Sequence, residues 1–342
     1  MNLRKRVTIV DIALKVGITP STVSKVFSNH PRISTLTREE VFKTAKALGY
    51  QPNVLATGLR KGRSGLIGVV VPVVNYSFFS TAIKGIEEYI TDSGYNVIIA
   101  QTRDQADLEE KQLQGLMRAQ VEGVISSMAA ETMDHSVYRN IASQIPLVLF
   151  DRTISAHNIN EVTIDDFEGA AKAVDHLVAM GYRRIAHLAG YEHVRPFAKR
   201  IEGYKSSLSR HGLEVNEKFI LQRGPNKDEG EEATEILLNL DQPPDAILAA
   251  SDYLAYGAIK AIRRRGLRVP DDIGIVGFSN EEFSSQVTPS ISTVDQRSEA
   301  MGSLAAKLLI DQLATSQNGG SYSVRREMLE PELIVRESSS RR

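Results

Sequence analysis

From Gly65 onward the chain repeats one pattern, a short apolar and β-branched run followed by a longer amphipathic stretch. The runs are "GLIGVVVP", "YNVIIAQT", "VEGVISSM", "PLVLFD", "VTID", "RIAHLAG", "FILQRG", "AILAAS" and "IGIVGFS". Strands that are apolar on both faces and separated by helical stretches belong in parallel sheets covered by helices on both sides. Nine candidate strands are many for one such sheet, and the polar stretch "RTISAHNINE" separates the fourth from the fifth. The pattern predicts an α/β body of two doubly wound parallel-sheet subdomains. The split falls near residue 161, giving about 65–161 with 294–322, and about 162–293 with 323–342.

In such sheets ligands lie beyond the carboxyl ends of the strands. The residues there are Asn75, Phe78 and Phe79 after the first run, Asp151 and Arg152 after the fourth, and Asp165 after the fifth. Arg200 lies on the helix after the sixth, Asp252 follows the eighth, and Ser279 and Asn280 follow the ninth. Aromatic faces with carboxylates and a guanidinium suit a sugar or a related polar metabolite. Asp165 and Asp252 serve equally well as helix N-caps.

The first 65 residues differ in charge. They hold 12 lysines and arginines against 3 acidic residues, whereas the remainder holds 29 against 39. A basic head on an acidic body points to a polyanionic partner for the head alone. Within it, Thr8 with Asp11 reads as a capped start, Ile9, Ile12, Ala13 and Val16 form one stripe, and Gly17 ends the helix. Thr19 then caps a second helix with Pro20 in its first turn. Val23, Val26 and Phe27 face inward, and Pro20, Ser21, Ser24 and Lys25 face out. A third helix runs from about Ser34 to Leu48 with Val41, Phe42, Ala45 and Leu48 inward. Residues 1–50 therefore read as a small all-α helix-turn-helix head, whose second helix enters the major groove of DNA.

Three segments, "VTIVDIALKVGITPSTVSKVFSN", "TREEVFKTAKALGYQPNVLATGL" and "GLIGVVVP", occur in that order, and through them the chain resembles the lactose-repressor/galactose-repressor (LacI/GalR) family of bacterial transcription regulators. The resemblance implies a periplasmic-binding-protein-like body and a homodimer on a double-stranded, pseudo-palindromic operator. It places Pro20, Ser21 and Lys25 at base edges, where Lys25 suits guanine O6 and N7. Thr8, Thr19, Thr22, Ser24 and Ser34 are read as caps or phosphate contacts, and Ser28 and Asn53 as further DNA-binding residues. Residues 51–64, "QPNVLATGLRKGRS", become a hinge that folds on the operator, with Leu59 as a minor-groove wedge and Ala56 at the contact between hinges. In the body it supports Phe78, Phe79, Asp151, Arg200 and Ser279 as effector contacts. Two departures stand out. Ser279 replaces an acidic residue common after "GF", and Asn226 replaces an aromatic found in some members, so a carboxylate clamp and a stacking surface are expected to be missing.

Other classes fit less well. The seven histidines lack metal or metalloprotease spacing, "GLIGVV" is no phosphate loop, and there is no cysteine, so neither catalysis nor a cofactor is expected. A sugar-uptake receptor shares the body plan but needs a signal peptide, which "MNLRKRVTIVDIALKVG" does not resemble, and has no use for a basic head. No apolar run approaches the ~18 residues of a membrane span, so the expected location is the cytoplasm, on the nucleoid. The C-terminal "LEPELIVRESSSRR" lacks sustained heptads, which favours a dimer over a tail-built tetramer.

Overall fold

The computed structural model describes residues 7–28, 30–50, 63–154 and 158–341. The chain forms two compact units, Met1–Gly65 and Leu66–Arg342.

The first unit holds α1 (Ile9–Val16), α2 (Pro20–Phe27) and α3 (Thr35–Leu48). The start of α1 is fixed by Asp11, whose Oδ2 accepts from the Thr8 backbone N–H and hydroxyl at 2.7 Å each. Gly17 closes α1 at φ 75°, a left-handed conformation that costs a glycine little. Thr19 and Ser34 accept from Thr22 N–H and Thr37 N–H at 3.2 Å, so each of the later helices has a hydroxyl cap. Ile12, Ala13, Val23, Val26, Val41 and Ala45 form the buried centre. Phe42, expected inward, is 48% exposed. Its ring meets Phe27 edge-on at 5.5 Å and covers the rim of this small core without entering it.

The second unit contains two six-stranded sheets. Its strands are β1 (Leu66–Val71), β2 (Asn96–Gln101), β3 (Gly123–Ser126), β4 (Leu147–Phe150), β5 (Asn160–Ile164), β6 (Ile185–Ala189), β7 (Ile220–Gln222), β8 (Ala246–Ala249), β9 (Gly274–Phe278), β10 (Ser292–Asp295), β11 (Arg326–Leu329) and β12 (Glu332–Ile334). The sheet orders are β11-β5-β4-β3-β1-β2 and β12-β10-β9-β8-β6-β7. All neighbours are parallel except β10 and β12. Each sheet winds outward in both directions from its first strand, so each has a switch point, between β1 and β3 and between β6 and β8.

Helices cover both faces. The first sheet packs against α4 (Ser77–Asp92) and α11 (Ser298–Gln317) on one side, with α5 (Ala106–Arg118) and α6 (Ser136–Ala142) on the other. The second carries α7 (Asp166–Ala179), α8 (Arg195–Arg210), α9 (Lys227–Leu238) and α10 (Asp252–Arg264). The α4–α11 contact needs glycine, because a Cβ on Gly302 would lie 2.0 Å from the Ala82 carbonyl oxygen.

The expected split near residue 161 is corrected. Strand β5 pairs with β4 and stays in the first sheet, so the chain crosses at Asp165, between β5 and α7. The long loop before β5 therefore joins two strands of one sheet. The chain returns between Asp295 and Ser298, which leaves β10 wholly in the second sheet. The C-terminal segment 323–342, expected in the second subdomain, is divided between the sheets, since β11 pairs with β5 and β12 with β10.

Candidate functional site

On the head, Pro20, Ser21 and Lys25 are exposed along α2, while Thr22 and Ser24 are half-buried. Thr19 Oγ1 lies 2.9 Å from both Ser21 Oγ and Thr22 Oγ1, a cluster that holds the first turn. Thr8 is exposed beside Asp11, and the exposed Ser28 donates its hydroxyl to the Lys25 carbonyl at 3.2 Å. Asn53, Ala56 and Leu59, and the hinge assignment with them, lie outside the described residues.

In the body the carboxyl ends of the two sheets face a cavity of about 50 Å³, room for one or two waters at ~30 Å³ each. Six of the expected residues line it: Phe78, Phe79, Asp151, Arg152, Arg200 and Ser279. Asp151 and Ser279 occupy equivalent places at the ends of β4 and β9, and both have positive φ, 57° and 105°. Strained backbone at two strand ends turns these side chains toward one another's subdomain. Gln296, at a crossing between subdomains, joins them: its Oε1 accepts from Ser279 Oγ at 2.7 Å and its Nε2 donates to Asp151 Oδ1 at 3.5 Å. Burial raises the Asp151 carboxyl above its usual range, with Arg152 and Arg200 opposing.

Arg200 is held on three sides. Its Nε donates to Asp166 Oδ1 at 2.8 Å, its Nη1 to the Ala250 carbonyl at 2.7 Å, and its guanidinium lies 3.7 Å from the Phe278 ring centroid. Its remaining N–H groups are thereby fixed in direction, which is what a planar five-donor group offers to a polar ligand. Burial lifts Asp166 to about 7 despite the Arg200 charge beside it. Arg152 is similarly tied to Asp104.

Five expected contacts do not line the cavity. Asn75 is exposed, and the next residue, Tyr76, points in. Asp165 caps α7, accepting from Glu168 N–H at 2.9 Å, so the arginine partner is Asp166. Asn226 caps α9 through Asp228 and Glu229 N–H, and Pro225 lines the cavity in its place. Asp252 is fully buried behind it, where it accepts from Thr293 Oγ1 and Glu281 N–H at 2.7 Å each; burial raises it to about 8. Asn280 turns away, bonded to Asp295 and Arg336 at 3.0 and 2.8 Å.

The expected lack of a carboxylate and of a stacking surface is also corrected. Glu281 lines the cavity two residues beyond Ser279, and Tyr76, Tyr253 and Phe197 add aromatic faces. Glu281 accepts from Ser77 N–H at 2.7 Å and Phe78 N–H at 3.3 Å, so a carboxylate of the second subdomain caps α4 of the first. Tyr76 and Tyr253 stack across the same gap at 4.6 Å. Further from the centre, Arg195 Nη1 donates to Thr153 Oγ1 and Glu161 Oε2 at 2.7 Å, and His193 Nε2 meets the Ala130 carbonyl at 2.9 Å.

A three-helix head with an exposed recognition helix, joined in sequence to a body of two sheets facing one polar and aromatic cavity, defines a helix-turn-helix regulator with a ligand-binding body. Residues 8–53 match the bacterial regulatory proteins of the lacI family, and residues 174–339 match the periplasmic binding protein-like domain. Catabolite control protein A of Priestia megaterium is 35% identical over 89% of this chain and 91% of its own. The structure of the lac repressor dimer bound to operator and the anti-inducer ONPF superposes with a TM-score of 0.85, at 27% identity over 98% of this chain and 99% of that one. The complex of the transcriptional regulator CelR with cellobiose does so with 0.73, at 29% identity over 97% and 100%. The chain belongs to the lacI family of bacterial regulatory proteins. It is a DNA-binding transcriptional regulator, and these relatives are regulators along nearly their whole length, which sets aside the uptake-receptor alternative. Among the described residues no helix is long and apolar enough to cross a membrane.

Proposed function

We propose that the protein is a cytoplasmic repressor that binds a pseudo-palindromic operator as a homodimer and takes a sugar or a sugar derivative between its two subdomains. The observation that carries this reading is the cavity where Arg152, Arg200, Asp151 and Glu281 converge among Phe79, Phe197, Tyr76 and Tyr253. Charged groups that bond vicinal hydroxyls, flanked by rings that cover C–H faces, match a pyranose better than an apolar ligand. The cellobiose complex of a relative supports the same class of effector. Pro20, Ser21 and Lys25 read bases, and Thr19, Thr22, Ser24 and Ser28 fix the helix on the phosphates.

Thermal-shift screening of neutral sugars and sugar acids on the full chain identifies the effector, because a ligand of the native state raises Tm by mass action. Arg200→Ala is then expected to abolish its binding in titration calorimetry while the ligand-free protein keeps its operator affinity. Unchanged effector affinity in this variant would remove the cavity from the reading.

A further inference from the structure

A second cavity, of about 260 Å³, opens beside the first and shares Arg152 with it. That is the space of about nine waters at ~30 Å³ each. One wall comes from the first subdomain, the turns after β3 and β4 and the start of α6; the other comes from His193, Val194 and Arg195 at the start of α8. Its lining includes three arginines, Arg139, Arg152 and Arg195, and two histidines, His135 and His193, and no carboxylate.

Net charge alone does not define the site, because each arginine has an acidic partner outside the cavity. Arg152 pairs with Asp104, Arg195 with Glu161 at 2.7 Å, and Arg139 with Asp134 at 3.9 Å. What remains is a set of oriented donors. Arg195 spends only Nη1 on Thr153 and Glu161, and its Nε and Nη2 carry three further N–H groups with no partner among the described residues. The Arg139 side chain is 59% exposed and touches Asp134 only at the limit of an ion pair. The His193 ring is fixed by a carbonyl, which can only accept, so Nε2 carries the proton there.

The helix α8 adds an independent contribution. It has 16 residues, its N-cap is Val194, which offers no side-chain acceptor, and its first turn holds no acidic residue. Its positive end, with the Arg195 side chain, therefore faces the cavity without internal compensation.

We propose that this second cavity binds an oxyanion of the phosphate type, as free phosphate or as the phosphoryl group of an ester, which bridges Arg139 and Arg152 of one subdomain to Arg195 of the other. Three guanidinium groups around a tetrahedral anion satisfy donors that the protein leaves open, and the bridge holds the two subdomains together. The site shares only Arg152 with the sugar cavity, from which it differs in having no phenylalanine or tyrosine in its lining.

The test titrates the full-length protein with inorganic phosphate against chloride at matched ionic strength, and separately with glucose and glucose 6-phosphate. Saturable phosphate binding that chloride does not reproduce is expected, weakened at least five-fold in Arg139→Gln and lost in Arg195→Gln. Ser279→Ala, which alters only the first cavity, is expected to bind phosphate like the wild type. If glucose 6-phosphate binds with this same variant pattern and free phosphate does not, the source is the ester and the site stands. No saturable binding of either phosphate species, equal binding in Arg139→Gln and the wild type, or an equal loss in Ser279→Ala would overturn the assignment. Since Arg139 is exposed and weakly paired, its variant keeps the test valid where Arg195→Gln disturbs folding.

Discussion

Replacing Glu281 by Gln removes one charge from the contact that spans the cleft and leaves its shape nearly unchanged. The carboxylate accepts from two N–H groups at the start of α4, at 2.7 and 3.3 Å, and is itself 2% exposed. A hydrogen bond to a charged group contributes ~1.5–3 kcal/mol when buried, and an anion at a helix N-terminus adds ~0.3–1 kcal/mol. Glutamine keeps one acceptor but turns an NH₂ group toward the other N–H. The 3.3 Å bond is the weaker, so the loss comes to about 2 kcal/mol, roughly 30-fold in the equilibrium between closed and open cleft. Because the open form is still folded, the urea midpoint should move little. The mean separation of dyes placed one on each subdomain of the ligand-free protein, read by single-molecule energy transfer, should increase, because the contact that is lost is one that closes the empty cleft. An unchanged dye separation in the ligand-free protein would show that Glu281 only caps α4 and does not hold the cleft.

Two further outcomes follow from buried and exposed charges. Lys25→Ala should cost ~1–3 kcal/mol on the operator and little on random DNA in fluorescence anisotropy at fixed salt, whereas equal losses on both would make Lys25 a phosphate contact. Asp252, raised to about 8 by burial, and Asp166, raised to about 7, hold protons in the native state that the unfolded chain releases near pH 4. Their contribution to stability is therefore fully present below pH 4 and is lost as pH rises through 7 to 8, with a slope of at most ~1.4 kcal/mol per pH unit for each group. Asp252→Asn imitates the protonated form, donating to Thr293 and accepting from Glu281 N–H. Urea unfolding of this variant between pH 5 and 7 should show stability falling with pH less steeply than in the wild type, by up to ~1.4 kcal/mol per pH unit, and an identical slope would mean that Asp252 is ionised in the native protein.

Strands β1 to β9 are legible in the sequence because each carries an apolar run, most deeply buried in the inner strands, as in Val69, Val70 and Val71, all at 0% exposure, and only half-buried at the edges in β2 and β7. Strand β10 is as deeply buried but reads Ser-Thr-Val-Asp, and periodicity has no means of seeing it. Its polar groups are satisfied by distant partners. Thr293 Oγ1 donates to Asp252, and Ser292 Oγ accepts from the Arg336 N–H at 2.7 Å. The same division separates the site residues. Phe78, Asp151 and Arg152 follow directly from strand ends, whereas Asn226 and Asp165 fail because a polar residue after a strand is as useful to the next helix as to a ligand. Glu281 and Gln296 act across the cleft, through partners up to 204 residues away in sequence. No local pattern encodes a contact of that kind.

The cavity is too small for a pyranose, so the contacts that close it must separate before an effector enters. Those contacts are of two kinds. Glu281 with α4 and Tyr76 with Tyr253 lie at the cavity itself, while Arg195 with Glu161 and His193 with Ala130 lie beside it. A ligand that displaces the first pair must return comparable bonds to Arg200, Asp151 and Glu281, or it leaves buried charges unpaired at a cost of ~1–3 kcal/mol each. The second pair need not break permanently, since it meets no atom of a ligand held by Arg200. A ligand thus favours the closed form only by the difference between what it forms and what it displaces, and not by its total binding energy. Specificity follows from that difference: a sugar lacking the hydroxyl that answers Glu281 enters the same space but leaves the carboxylate, the Ser77 N–H and the Phe78 N–H without partners, and the cleft reopens.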